Sequence, residues 1–442
     1  MLGMLGIAGA LAAGCTASSE EVRPPDDALF FPTAVAVSPD ESVLFVMSAN
    51  SELRYDSAAV SVVDLDAVDE VVDAWLGTGQ PPAGCERDPS FSETIECDEA
   101  PLLLAGAGAR TGNFASTMAV QDLGDGDLRL VIPVRGDPSV TWIDWRAADR
   151  ALSCSDGGGF ALCDDAHRLT RLREDADLAN LPDEPFGVFV DSVNEFAVVT
   201  HLTSGTATLV DLPRDGTPVL ADAITGLFAS DNGRIGAVGV AGRTPDQPDD
   251  RVYVTSRTEG RVQTLTVARP GGEDALPVLV PADHFFLDAI GRNEGGTDAR
   301  AIAFGAGGDR AYVVNREPPS VAVVDTSLTA TGVPRNVVIG GTDICRDASA
   351  VAVADVGEGE RVLVTCQTDG EVYVVDPAAG GSVERVAIVG RGPFGVAAAP
   401  GRRRLYVSNF FENTIAVIDL SPGAVTQYRV VMRIGLREDQ AP

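Results

Sequence analysis

The sequence predicts an all-β protein in which seven copies of one four-stranded antiparallel unit close into a ring, a seven-bladed β-propeller. Three observations predict it. The stretch LYVSNFFENTIAVIDL at residues 405–420 alternates in period two on either side of a Phe-Glu-Asn turn, and the same template recurs from Leu44, Leu130, Phe196, Val252, Ala311 and Val362. The spacing from the residue that closes the first of these two strands to the residue that closes the other is constant in six copies: Val134 to Asp144, His201 to Asp211, Ser256 to Thr266, Asn315 to Asp325, Cys366 to Asp376 and Asn409 to Asp419. Each copy is also preceded by an apolar strand with a Gly or Asp turn, and several are followed by a further strand. Closing such a chain of sheets removes the exposed edges that an open sheet would carry.

Taken in order, the chain opens on an apolar leader that turns polar after Cys15. Leu11-Ala12-Ala13-Gly14-Cys15 is similar to a bacterial lipobox, in which small residues before the cysteine permit cleavage. The resemblance implies a signal peptide at 1–14, a lipid on Cys15 and a polar tether at 15–28. Thr16 rather than Asp follows the cysteine, which in that family implies sorting to the outer membrane. The alternative is a short buried apolar segment with an incidental cysteine. The propeller then occupies 29–437, with a short tail at 438–442.

Within the propeller, first strands are read from Thr33, Ser116, Phe186, Ala301, Ser349 and Phe394. Fourth strands are read from Glu70 (EVVDAWLG), Asn336, Glu384 and Tyr428. Long segments at 78–113, 284–300 and 341–347 are expected between the fourth strand of one blade and the first of the next, and 146–184 joins them. Such connections share a face with the turn between second and third strands, so this top face is expected to be the working one.

Composition narrows the function. Lysine is absent, so all 33 cations are arginines, and against 65 acids they leave a net charge of −32. That balance excludes nucleic acid as a partner, because phosphates need a basic surface. The acids are dispersed, which is how a chain keeps itself soluble. Setting Cys15 aside leaves six cysteines, whose spacing points to the local pairs Cys85 with Cys97, Cys154 with Cys163 and Cys345 with Cys366.

YVSN at Tyr406 and YVVN at Tyr312 resemble the signature of YVTN-type propellers. That resemblance spans nearly everything from about residue 30 to 435 and implies the fold. It implies little about activity, since proteins of this pattern include sugar-lactone hydrolases, a lyase and cell-surface proteins.

Candidate chemistry is sparse. Three histidines, His167, His201 and His284, make neither an imidazole metal box nor a haem site, and no cofactor is expected. The aspartates that close the third strands, at 64, 144, 211, 325, 376 and 419, belong to the opposite face as turn residues. Gln121 to Asp127 resembles part of a calcium loop, but no bidentate Glu stands at the needed distance and the segment reads as a hairpin turn. His201, at the end of a second strand, is expected to face the top, and it and Glu184 are the candidates for moving a proton. The residue just after the second strand is arginine in three copies, Arg135, Arg257 and Arg316, and Arg391 and Arg300 lie just before first strands on the same face. Together they invite an anion; alternatively each pairs with a nearby acid such as Asp137, Glu259 or Glu317. The expected function is therefore a monomeric cell-envelope lipoprotein whose propeller is a non-catalytic binding or scaffolding module, for an envelope protein or a small anionic ligand. The alternative is a lactonase-like hydrolase acting on a small anionic sugar-type substrate.

Overall fold

The structure, a computed structural model, describes residues 22–174, 178–228, 236–243, 251–272, 275–287, 298–378 and 380–437. The leader with Cys15 and the tail after residue 437 lie outside the described residues, as does most of the span between His284 and Arg300. The described chain forms seven sheets, antiparallel in all the blade pairings, with one parallel pairing where an added hairpin meets the last blade. In blade five, for example, Ala299–Phe304, Arg310–Arg316, Pro319–Asp325 and Val337–Asp343 pair in sequence order from the inner strand outward. The last three residues of that outermost strand fall within 341–347, expected as a connection.

Each blade is buried on both faces, which is why its middle strands read as nearly continuous apolar runs. In the strand Arg404–Asn409, Leu405 and Val407 pack with Val372 and Val374 of blade six, whereas Tyr406 packs on the other side with Leu44 and Val46 of blade one. Near the axis, neighbouring blades are joined by a recurrent hydroxyl. Thr200, Thr255, Thr365 and Ser408 occupy one position of the second strand. Each accepts an inner-strand amide of its own blade, from Gly187, Gly239, Ala350 and Gly395 at 2.8–3.1 Å. Each then donates to an inner-strand carbonyl of the next, on Val238, Ala299, Phe394 and Thr33 at 2.6–3.4 Å. Gly187 is obligatory in this contact, since a Cβ there would sit 2.2 Å from the Val238 carbonyl oxygen. In six blades the pairing of inner strand with second strand shifts register once, and the bulge sits beside the channel.

Blade one departs from expectation. The segment EVVDAWLG is not a strand but part of a helix, Leu65–Thr78. Asp64 caps it by accepting the amides of Asp66 and Ala67, Gly79 ends it at φ 67°, and Leu65, Val68, Val72 and Trp75 form its single buried stripe. That stripe has helical spacing, and it outweighs the local Val-Val pair that suggests a strand. The fourth strand of the blade is instead Ala109–Thr111. Residues 78–113 therefore do not bridge two blades on the top face; most of them belong to an excursion between the third and fourth strands of blade one.

This excursion closes the ring. After the helix, the hairpin Cys85–Arg87 and Ile95–Cys97 lies against the outermost strand of blade seven, Val430–Ile434, and extends that sheet to six strands. Arg402 of blade seven reaches the helix carboxylates Asp66 and Asp69, both at 2.6 Å. At the other end of the hairpin Arg433 is buried with Asp88 and Glu96, and Arg437 reaches Glu96 at 2.5 Å and Asp88 at 3.2 Å.

Blade two splits its fourth strand into Ala151–Ser153 and Arg168–Leu169, both paired to the third strand, Ser139–Arg146. The loop between them is tied by Cys154–Cys163. All three cysteine pairs form, with Cα separations of 4.0 Å for Cys85–Cys97, 4.8 Å for Cys154–Cys163 and 5.8 Å for Cys345–Cys366. The third-strand aspartates serve turns, as expected, in four blades. Asp64 caps the helix, and Asp325, Asp376 and Asp419 accept the amides of Ser327, Ala378 and Ser421 at 2.8–3.0 Å. Asp144 and Asp211 instead bind Arg129 and Arg269. Asp125 and Gly126, both at positive φ, make a two-residue hairpin turn of the calcium-like segment.

Candidate functional site: the mouth of the central channel

The inner strands enclose an axial cavity of about 170 Å³ to which all seven blades contribute. Arg300, on the inner strand of blade five, is the one charged residue among the described residues that line it. Equivalent positions on other blades carry Thr33, Ser116, Phe186, Val238, Ser349 and Phe394.

Two further arginines bear on Arg300. Arg316 ends the second strand of blade five; its Nε donates to the Ala348 carbonyl at 2.9 Å and one Nη meets the Gln367 side-chain oxygen at 3.4 Å. Arg257 opens the corresponding turn of blade four, its amide donating to the Gly236 carbonyl at 3.0 Å. Two carboxylates act on the same group: Asp298, whose Oδ1 lies 3.1 Å from Arg300 Nε, and Asp347 at the entry to blade six. Burial, with repulsion from Arg316 and Arg257, lowers the Arg300 guanidinium to about 10 against the attraction of the two aspartates. Burial also lowers Arg316, with Arg257 adding to the effect and the same aspartates opposing it. Arginines are ordinarily cations at any pH a protein meets, so these shifts mark a place where positive charge is poorly compensated. The Arg300 side chain is only 12% exposed. Among the described residues named here, three guanidiniums stand against two carboxylates, a surplus of one positive charge.

The sequence-predicted residues divide. Arg257 and Arg316 come together with Arg300. Arg135 is engaged elsewhere, its Nε 2.6 Å from Glu184 Oε2 across blades two and three. Arg391 meets Glu412 at 3.5 Å and lines a separate pocket with Phe411 and Arg437. His201 does not stand at the top rim, because it is fully buried. Its Nδ1 donates to the Asp183 carbonyl at 3.0 Å, which leaves Nε2 to accept the Thr208 hydroxyl at 2.9 Å. Burial lowers its pKa to about 4, so the ring is neutral at pH 7. His167 stacks on Trp142 with ring centroids 4.0 Å apart and holds Asp164, while His284 sits on the outer strand of blade four. Asp298, Asp347 and Gln367 were not singled out by the sequence, since their types are unremarkable on a top loop. Among the described residues no group of His, Cys, Asp and Glu is arranged to hold a metal.

These features define the class: a seven-bladed β-propeller with an arginine cluster at one mouth of its channel. Neither a family model nor a curated protein matches the sequence. Solved structures do match over most of the chain. One is a putative 6-phosphogluconolactonase from Bacteroides fragilis, 14% identical, covering 90% of this chain and 99% of its own with a TM-score of 0.57. A protein from Lactobacillus plantarum is 16% identical, covers 85% and 94%, and has a TM-score of 0.55. A periplasmic gluconolactonase from Pseudomonas aeruginosa is 15% identical, covers 80% and 84%, and has a TM-score of 0.50. At these identities the likeness is one of fold.

Proposed function

We propose that the protein is an envelope lipoprotein of the YVTN-type propeller class, held to the outer membrane through Cys15, whose channel mouth binds a small anion without transforming it. The observation that carries the binding reading is the surplus charge at Arg257, Arg300 and Arg316, next to a cavity that gives a ligand somewhere to sit. A guanidinium cluster suits a carboxylate by paired hydrogen bonds, and partial burial strengthens the attraction. The non-catalytic reading is supported by the engagement of both proton-handling candidates, His201 inside blade three and Glu184 with Arg135.

Thermal-shift screening of anionic metabolites against the wild type and an Arg257→Ala/Arg300→Ala/Arg316→Ala variant tests the site. The wild type should be stabilised by at least one carboxylate, and the variant should bind it at least about tenfold more weakly, roughly 1.4 kcal/mol. Equal binding by the variant, or no stabilisation of the wild type by any anion, contradicts the proposal. The anchor is tested separately: fatty-acid label and membrane fractionation in a lipoprotein-processing bacterium should vanish in Cys15→Ser, and their retention removes the lipid assignment.

A second reading, hydrolysis of a lactone, draws on Asp298 and Asp347, which lie beside the arginines and supply carboxylates for proton transfer. Acid release from sugar lactones, followed in a pH-stat, separates the two readings. Turnover that falls in Asp298→Asn and Asp347→Asn would favour the hydrolase.

A further inference from the structure

The composition of the channel below the arginines specifies the ligand more narrowly than its charge. We propose that it is an amphipathic monocarboxylate, a single carboxylate on an apolar body, with the head at Arg300 and the tail inside the channel. The proposal rests on the anion-binding reading above and deepens it.

Two observations carry it. The first is charge: among the described residues, the three guanidiniums of the mouth act with two carboxylates and accept one negative charge to reach neutrality, where a phosphate monoester, near two negative charges at pH 7, would overshoot. The second is the wall. Two residues beyond Arg300 along its strand is Ile302, and the positions that match Ile302 on other blades include Met118, Val188, Val240, Val351 and Val396. They form an apolar collar around the axis.

The wall offers little to a polyhydroxylated ligand. Among the described residues it carries four side-chain hydroxyls, on Thr33, Ser116, Thr117 and Ser349. Three of them already donate to backbone carbonyls: Thr33 to Ala115 at 2.9 Å, Ser349 to Pro393 at 3.0 Å, and Thr117 to Phe186. A sugar acid in this channel would lose water from its hydroxyls and find few partners for them, which costs affinity. A methylene chain would instead exchange water for the collar, at roughly fourfold in affinity for each methylene fully buried, about 0.8 kcal/mol.

Isothermal titration of the full chain with acetate, hexanoate and gluconate tests the proposal. Hexanoate and gluconate have the same carbon count and the same head, and differ only in hydroxylation. Hexanoate should bind at least about tenfold more tightly than acetate, and gluconate no more tightly than acetate. Ile302→Asn, which places an amide in the collar, should weaken hexanoate several-fold and leave acetate unchanged. The nearly isosteric Val240→Thr should act in the same direction should Ile302→Asn fail to fold. Equal binding of acetate and hexanoate, or preference for gluconate, overturns the amphipathic ligand while leaving the arginine site in place, provided that the arginine variant still loses binding. Absence of binding by all three carboxylates overturns this proposal, and the anion-binding reading falls with it only if the wider anion screen also finds no ligand.

Discussion

Arg433→Ala is expected to lower the free energy of unfolding by about 3–5 kcal/mol, the usual cost of removing one partner from a buried ion pair. Arg433 is 1% exposed and Asp88 is fully buried. Asp88 also accepts the amides of Ser90 at 2.7 Å and Phe91 at 3.1 Å. Burial acts to raise its pKa, but those amides and Arg433 outweigh burial and hold it below the ordinary value. Glu96 behaves oppositely: burial, with Asp88 adding to it, raises its pKa in spite of Arg437 and Arg433. Without Arg433, the one cation among the described residues that the ion pairs leave to both carboxylates is Arg437, whose side chain is 27% exposed. The consequence is architectural, because these acids lie on the excursion from blade one that closes the ring on blade seven. Urea denaturation measures the loss, and Arg433→Met/Asp88→Asn, which removes the charge on both sides, should recover most of it. A loss below about 1 kcal/mol in Arg433→Ala would show that the buried pair does not hold the seam.

The second large effect is in pH. His201 titrates near 4 in the fold, against about 6.5 when exposed, so between these values the unfolded chain binds the proton and the folded one does not. Stability from this residue is therefore complete above pH 6.5 and is lost as pH falls toward 4, by up to about 3 kcal/mol. His201→Asn loses the Asp183 and Thr208 bonds and is less stable at neutral pH, but its stability should be flatter across this window. Denaturation of both proteins at several pH values gives the difference curve. Parallel curves would mean that His201 takes up its proton over the same pH range folded as unfolded, and that burial does not hold the ring neutral below pH 6.5.

The ring was legible because period-two apolar runs at constant spacing leave few other solutions, and the same spacing gave six of the strand pairs their register. The disulfides were legible because each pair is local. The blade-one excursion was misread where Val71-Val72 imitates a strand; only the wider stripe of Leu65, Val68, Val72 and Trp75, with Asp64 before it and Gly79 after it, identifies the helix. The site was half legible. Aligning the repeats put Arg257 and Arg316 in one column, but the same column contains Arg135, which is held by a carboxylate that sequence order alone does not place beside it. Burial of His201 depends on packing inside blade three, and a strand end in the sequence carries no sign of it. Arg300 takes on its central place from the ring itself, which turns one inner-strand position of every blade toward a common axis.

The most direct measurement is a crystal structure of the protein soaked in 4-bromobenzoate, with the bromine located by its anomalous scattering. The account predicts a carboxylate between Arg257, Arg300 and Arg316 and a bromine peak on the channel axis within the collar that includes Ile302. Bound 4-bromobenzoate at the pocket of Arg391, or elsewhere on the surface, with the channel mouth empty, would contradict it.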